Sequence, residues 1–305
     1  DMTDIHIRKD GHAGRITLNR PAALNALTHD MCLALEDALW TWRSDPTVKL
    51  ILIDAAGDKA FCAGGDIAEI YATGTQGDYA YGQRFWRDEY RMNALIAEYP
   101  KPVVSFLKGY TMGGGVGIGC HGAHRIVGES SRIAMPECGI GLIPDVGGSF
   151  LLAHAPGHMG AYLGLTTDRM DPADAILAGF ADVFVPETAW EGIKAAICAD
   201  GDVSAVRAAS KPAPEARLAC VLRGTGVDYV RSSAGTYVLF ERRRRAPRHG
   251  RLAGTVVDAA TGEPLPRANV LLADASTGTT TNTAGQFQFG RVLSGVHRLV
   301  VTYVG

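Results

Sequence analysis

The chain has 305 residues, 47% hydrophobic and 20% charged, with a formal net charge of -2. That is length enough for one large domain or two modest ones around a sizeable core, and the balanced charge gives no electrostatic ground for nucleic acid as the main partner. A mean hydropathy of +0.03 and the absence of any apolar run of about 20 residues exclude a helical membrane span.

The first residues, DMTDIHIRKDGHAGR, mix both charges where a signal peptide needs an unbroken apolar stretch, which points to the cytoplasm. Asp4 to Arg8 and Arg15 to Asn19 read as two short strands. Thr28 is placed to cap a helix whose apolar residues Met31, Leu35, Ala38, Leu39 and Trp42 keep helical spacing. Leu50 to Ile53 is continuously apolar, as a strand covered on both faces should be, and Val103 to Leu107 repeats the pattern. Each of these strands runs into a glycine-rich loop and then a helical stretch, so the first region is α/β. The six cysteines are too sparse for a disulfide framework and form no CxxC pair, so free, mostly buried thiols are expected and no metal.

Composition then changes. Every lysine lies at or before Lys211, every methionine at or before Met170 and every cysteine at or before Cys220, while from Gly224 onward Thr, Gly, Val and Arg dominate. Glu241 to Arg248, ERRRRAPR, reads as a solvated connector, because no aromatic residues interleave its arginines. These shifts divide the chain into residues 1–211, a connecting region 212–249, and 250–305. In the last part Gly254 to Asp258, Asn269 to Ala273, Gln286 to Phe289 and Arg298 to Val304 are short strands separated by turn residues, a small all-β unit. Nothing follows its last strand, so it is expected to be incomplete.

Two segments could carry chemistry through their backbone: Phe61-Cys62-Ala63-Gly64-Gly65-Asp66-Ile67, and Lys108 to Gly117 with the run Gly113-Gly114-Gly115. Each follows a buried strand and can offer free N–H groups to a developing oxyanion, or serve only close backbone packing. Gly117 to Gly122 is formally GxGxxG, with Glu137 downstream, but several residues separate it from its strand, which argues against a dinucleotide site. Glu137 and Asp145 stand in an otherwise apolar, glycine-rich stretch, where burial would raise carboxyl pKa values and suit them to acid–base or nucleophilic work. Ser149 lacks the following glycine of a nucleophile elbow. His121 and His124 could share a helix face but have no third ligand at a metal-binding spacing.

Together, AFCAGGDI, GYTMGGGVGIGCHG, AMPECGIGLIPDVGG and LGLTTDRMDPADAILAGFADVFVP occur in an order that resembles the crotonase (enoyl-CoA hydratase/isomerase) superfamily, and within it the 3-hydroxyisobutyryl-CoA hydrolases, over about residues 3–210. The resemblance implies a spiral core of stacked ββα units, usually oligomeric. It implies Gly65 and Gly114 as oxyanion-hole residues, Glu137 and Asp145 as catalytic carboxylates, and Glu89, Gly64 and Asp66 as substrate-binding residues. It further implies an acyl-CoA substrate, thioester hydrolysis in valine catabolism, and no metal or redox cofactor, coenzyme A entering as part of the substrate. Asp145 is given a proton-handling role and, with Glu89, the substrate hydroxyl. Hydratases of the superfamily carry a second glutamate where this chain has Gly117 and a glycine where it has Asp145, so both departures favour the hydrolase over a hydratase or isomerase. That family continues past Ala208 with further helices, which are replaced here. Glu215 to Glu241 resembles part of a secretin/TonB short N-terminal domain, and Gly250 to Gly305 a carboxypeptidase-regulatory-like β-sandwich. Those are periplasmic or outer-membrane families, in conflict with cytosolic coenzyme A chemistry, so a chimeric junction is expected, with an exported β-module as the competing functional reading.

Overall fold

The computed structural model describes residues 4–214, 216–218, 227–231, 237–241, 249–259, 261–272, 277–293 and 299–303. It divides into two compact units, Asp1–Glu241 and Arg242–Gly305.

The first unit is α/β. β1 (Ile5–Asp10) and β2 (Ala13–Leu18) pair antiparallel, and β2 leads into a parallel run through β3 (Leu50–Ala55), β5 (Val103–Phe106), β7 (His124–Val127) and β9 (Val183–Phe184). A second, smaller sheet is built of β4 (Ala60–Cys62), β6 (Tyr110–Met112) and β8 (Arg132–Ala134), all parallel, in the order β4-β6-β8. The chain thus visits the large sheet, then the small one, then a helix or turn, and repeats. β3 and β4 precede α2 (Ile67–Thr75) and α3 (Tyr79–Ala97), and β5 and β6 precede α4 (Gly114–Gly119). This is the stacked ββα order that the motifs imply.

Burial explains why Leu50 to Ile53 is continuously apolar. Ile51 and Ile53 of β3 enter one hydrophobic cluster, whereas Leu50 and Leu52 enter another on the opposite face. Alternate side chains of this run feed two cores, so neither of its faces is polar, and the one buried acid of the strand, Asp54, is paired with Arg15 at 2.8 Å and Lys194 at 3.1 Å. α1 (His29–Arg43) covers the first face with Met31, Leu35, Leu39 and Trp42, and Thr28 Oγ1 caps it by accepting from Met31 N–H at 3.2 Å. α8 (Trp190–Asp200) covers the other with Trp190, Ile193 and Ile197.

The Pro/Ala-rich stretch placed at the domain boundary packs onto the first unit. Ala213, Ala216 and Leu218 are buried, and Leu218 N–H donates to Asp174 at 2.6 Å. Small alanines look like linker in composition but fit a shallow apolar surface. The secretin/TonB resemblance and the arginine run fall mainly on residues outside those described; the hairpin β10 (Val227–Arg231) and β11 (Tyr237–Glu241) is described within that stretch.

Among the described residues the strand pairs of the second unit are all antiparallel, as expected of a small β-sandwich. β12 (His249–Thr255) pairs with β15 (Gln286–Leu293), and β13 (Asn269–Leu272) lies between β14 (Thr277–Thr280) and β16 (Leu299–Thr302). Val270, Leu272, Phe289 and Val292 form its buried core. No helix among the described residues is long and apolar enough to cross a membrane.

Candidate active site

The three strands of the small sheet end at one place. β4 runs into Ala63-Gly64-Gly65, β6 into Gly113-Gly114 and β8 into Met135-Pro136-Glu137. Being parallel neighbours, they present their C-terminal ends side by side, the position at which open α/β sheets bind ligands. A cleft of about 130 Å³ opens there, lined by Gly64, Gly65, Gly113 and Gly114, by the carboxyls of Glu89, Glu137 and Asp145, and by apolar Ile70, Phe85 and Trp86.

The two glycine loops approach each other closely. Gly64 has φ +116, a backbone conformation that side chains rarely adopt. A Cβ on Gly114 would stand 3.1 Å from Gly65 N and 2.6 Å from Glu89 Oε1, so only glycine leaves the space between them open. Among the described residues neither the Gly65 nor the Gly114 N–H donates to another group. Backbone donors in a folded chain normally find acceptors, so two left free at one spot, on buried Gly114 and partly buried Gly65, can serve an oxygen of a ligand.

Glu137 begins the short 3-10 turn Glu137–Ile140 and is only 6% exposed. Burial pushes its carboxyl up to about 7. Glu89, on α3, is 2% exposed; burial first, then the neighbouring Asp145 and Glu137 carboxylates, push it up to about 8. One oxygen of each, Oε1 of Glu89 and Oε2 of Glu137, is buried without a hydrogen-bond partner. Asp145 is half-buried and accepts a 2.6 Å bond from the Tyr90 hydroxyl. At neutral pH the cleft therefore holds a protonated Glu89 beside a Glu137 poised between its two forms.

This arrangement carries a stability signature. Glu89 is raised in the folded state from 4.5 to about 8, so its contribution to stability is present in full below pH 4.5 and is lost as pH rises through about 8. Glu89→Gln removes that loss. It is expected to unfold at higher denaturant than wild type at pH 8.5, by on the order of 3–5 kcal/mol, and to differ little at pH 4.5. Equal stability of the two proteins at both pH values would contradict the buried, raised carboxyl.

The cleft gathers Gly64, Gly65, Gly114, Glu89, Glu137 and Asp145, but not Asp66. The Asp66 side chain instead caps α2 through Ala68 N–H and bonds Arg20 at 3.0 Å. An acid directly before a helix finds its partners in the first turn, and that local bond turns it away from the cleft. His121 and His124 do not share a helix face either, because α4 ends at Gly119 and His124 opens β7. Among the described residues no cluster of three or more His, Cys, Asp or Glu side chains is arranged to hold a metal. The formal GxGxxG spans the end of α4, whereas the loop facing the cleft is Gly113-Gly114, and Glu137 lies in the cleft itself. Tyr90 escaped the sequence reading; its only signal is adjacency to Glu89.

A crystal structure of an enoyl-CoA hydratase from Rhodobacter sphaeroides matches with a TM-score of 0.69 at 58% identity, covering 72% of this chain and 64% of that one. One of a carnitinyl-CoA dehydratase from Mycobacterium thermoresistibile matches with a TM-score of 0.70 at 45% identity, again covering 72% and 64%. The architecture of the first unit is thus the crotonase fold. The family model for enoyl-CoA hydratase/isomerase matches residues 13–221, and the chain belongs to that family. Among curated relatives, the mitochondrial 3-hydroxyisobutyryl-CoA hydrolase of Xenopus tropicalis is 48% identical over 179 residues, which is 59% of this chain and 46% of the relative. The chain therefore spans about half the length of the curated relatives it matches. Residues 252–305 match a CarboxypepD_reg-like domain.

Proposed function

We propose that the first unit hydrolyses a 3-hydroxyacyl-CoA thioester, 3-hydroxyisobutyryl-CoA being the substrate its relatives suggest. The observation that carries this reading is the buried carboxyl of Glu137 sharing a cleft with two backbone N–H groups that, among the described residues, have no other acceptor. The thioester carbonyl oxygen sits on the N–H groups of Gly65 and Gly114. Glu137 supplies the electron pair, either by attacking the carbonyl carbon to give a mixed anhydride or by taking a proton from the attacking water. The coenzyme A sulfur leaves as thiolate, which needs little acid assistance because thiols ionise near ~8.5. Asp145 and Glu89 hold the 3-hydroxyl, one as an acceptor and the other, protonated at neutral pH, as a donor. On the anhydride route one water then hydrolyses the anhydride, freeing the acid and regenerating Glu137; on the base route the attacking water has already supplied that oxygen, and neither route calls for a metal or redox group.

Position 117 separates this chemistry from hydration of a double bond. A Cβ on Gly117 would stand 2.7 Å from Asn93 Nδ2 and 2.9 Å from Val146 Cβ, so a second acid there would have to displace core side chains. Two carboxylates steering water are thus replaced by one carboxylate and a leaving thiolate. The test is free-thiol release from 3-hydroxyisobutyryl-CoA by the full chain, expected to be saturable. The second reading, a hydratase, is favoured by the names of the two solved structures above. Loss of enoyl-CoA absorbance without thiol release would establish it and overturn the first.

A further inference from the structure

We propose that Tyr90 and His121 are positioning residues for Asp145, Tyr90 through its carboxylate and His121 through the strained backbone that follows it, and that they thereby set the preference for a 3-hydroxylated acyl group. The inference deepens the hydrolase reading above and rests on it.

Asp145 lies between the turn Glu137–Ile140 and α5 (Gly148–His154), in a segment with no regular hydrogen-bonded structure to hold it. Yet the next residue, Val146, is fixed at φ +47. A β-branched side chain avoids this left-handed region, so such a conformation persists only where the surroundings impose it. Three contacts do so. The Val146 carbonyl accepts a 2.8 Å bond from His121 Nε2, the Val146 side chain is 3% exposed in the core, and Gly148 N–H donates to the Asp145 carbonyl at 2.6 Å. A carbonyl can only accept, so His121 carries its proton on Nε2. Burial holds the imidazole below its ordinary pKa and hence neutral. Gly147, at φ +73, completes the fit, since a Cβ there would stand 2.5 Å from His121 Nε2.

The side chain of Asp145 is held separately. Tyr90 OH donates to its Oδ2 at 2.6 Å, and burial together with the Asp145 charge raises the phenol well above its ordinary pKa, so it remains a donor. One carboxylate oxygen is thereby committed, and the other is left for the ligand. Neither Tyr90 nor His121 lines the catalytic cleft. Both line a separate cavity of about 610 Å³ together with Gly147 and Phe150. They therefore reach the substrate only through Asp145. Consecutive residues of α3 are divided between the two sides: Glu89 faces the cleft, and Tyr90 holds Asp145 from the other cavity.

The experiment compares kcat and KM for 3-hydroxyisobutyryl-CoA and for isobutyryl-CoA, which lacks the hydroxyl, in the full chain and in Tyr90→Phe, His121→Ala and His121→Gln. Asp145→Asn serves as the reference. Tyr90→Phe and His121→Ala are expected to lower the ratio of kcat/KM values, hydroxylated over plain, by about tenfold or more. His121→Gln, whose amide N–H can reach the same carbonyl, is expected to keep most of it. A ratio unchanged in Tyr90→Phe and His121→Ala, with both substrates slowed in parallel or neither slowed, overturns the inference while leaving the hydrolase reading intact. Failure of the wild-type chain to release thiol from either substrate overturns the hydrolase reading, and the inference with it.

Discussion

Glu137→Gln is expected to lower thiol release from 3-hydroxyisobutyryl-CoA by about 10³-fold or more, within the range that a positioned acid–base or nucleophilic group contributes. The amide keeps the size of the side chain but neither attacks a carbonyl nor accepts a proton. The pH profile supplies an independent check. Because burial raises Glu137 to about 7, the carboxylate form accumulates only above that pH, and wild-type kcat/KM should rise with pH through about 7. The same raised value makes the stability contribution of Glu137 complete below pH 4.5 and lost as pH rises through about 7. The variant should therefore be inactive at pH 8 and yet more resistant to heat than wild type, by on the order of 3 kcal/mol or several degrees in Tm. A variant with near-normal turnover at pH 8 would remove Glu137 from the chemistry altogether.

Gly114→Ala is expected to lower kcat by about 10²–10³, the range for loss of one oxyanion donor, without unfolding the protein. The reason is spatial. Gly114 is absent from the positive-φ positions, so alanine meets no backbone strain, and at the start of α4 it is a good helix former. Its Cβ, however, would stand 2.6 Å from Glu89 Oε1 and 3.1 Å from Gly65 N, in the gap between the two donors. Activity and stability should thus separate: a folded protein whose melting temperature falls only modestly, as the buried Glu89 side chain gives way to the methyl group, with a crippled kcat. Normal kcat would show that the gap does not hold the reacting oxygen.

What could be read from the sequence follows from how each feature is encoded. Leu50 to Ile53 was legible because all four of its side chains enter apolar cores, while the strand itself runs on to Ala55 through the buried, ion-paired Asp54. Thr28 was legible because its cap is local, closing on Met31 three residues away. The glycine loops and Glu137 stood out because each breaks the composition around it. β14, Thr277–Thr280, was missed: its sequence TGTT has no apolar alternation, and it is a strand because β13 offers it an antiparallel partner. Asp66 belongs to the same motif as Gly64 and Gly65, but adjacency in sequence says nothing of where a side chain turns. The Tyr90 to Asp145 bond joins residues 55 apart in the chain. The left-handed Val146 leaves no mark in residue type at all, since valine is what a rule based on propensity would last place there.

The small sheet β4-β6-β8 acts as a ruler for the cleft. Its strands lie about 4.8 Å apart and advance about 3.3 Å per residue, so the backbone hydrogen-bond ladder sets where the segments carrying Gly65, Gly114 and Glu137 start, and the Leu27 backbone then fixes Gly64-Gly65 through two further bonds. Inserting one residue into β6 would displace Gly114 along the strand by about 3.3 Å, more than a hydrogen bond can stretch. Exchanging residues beyond the strand ends leaves the ruler untouched. Two kinds of constraint therefore meet here: lengths within the sheet are fixed by the ladder, and the glycines just past it are fixed by the space and backbone conformation they occupy.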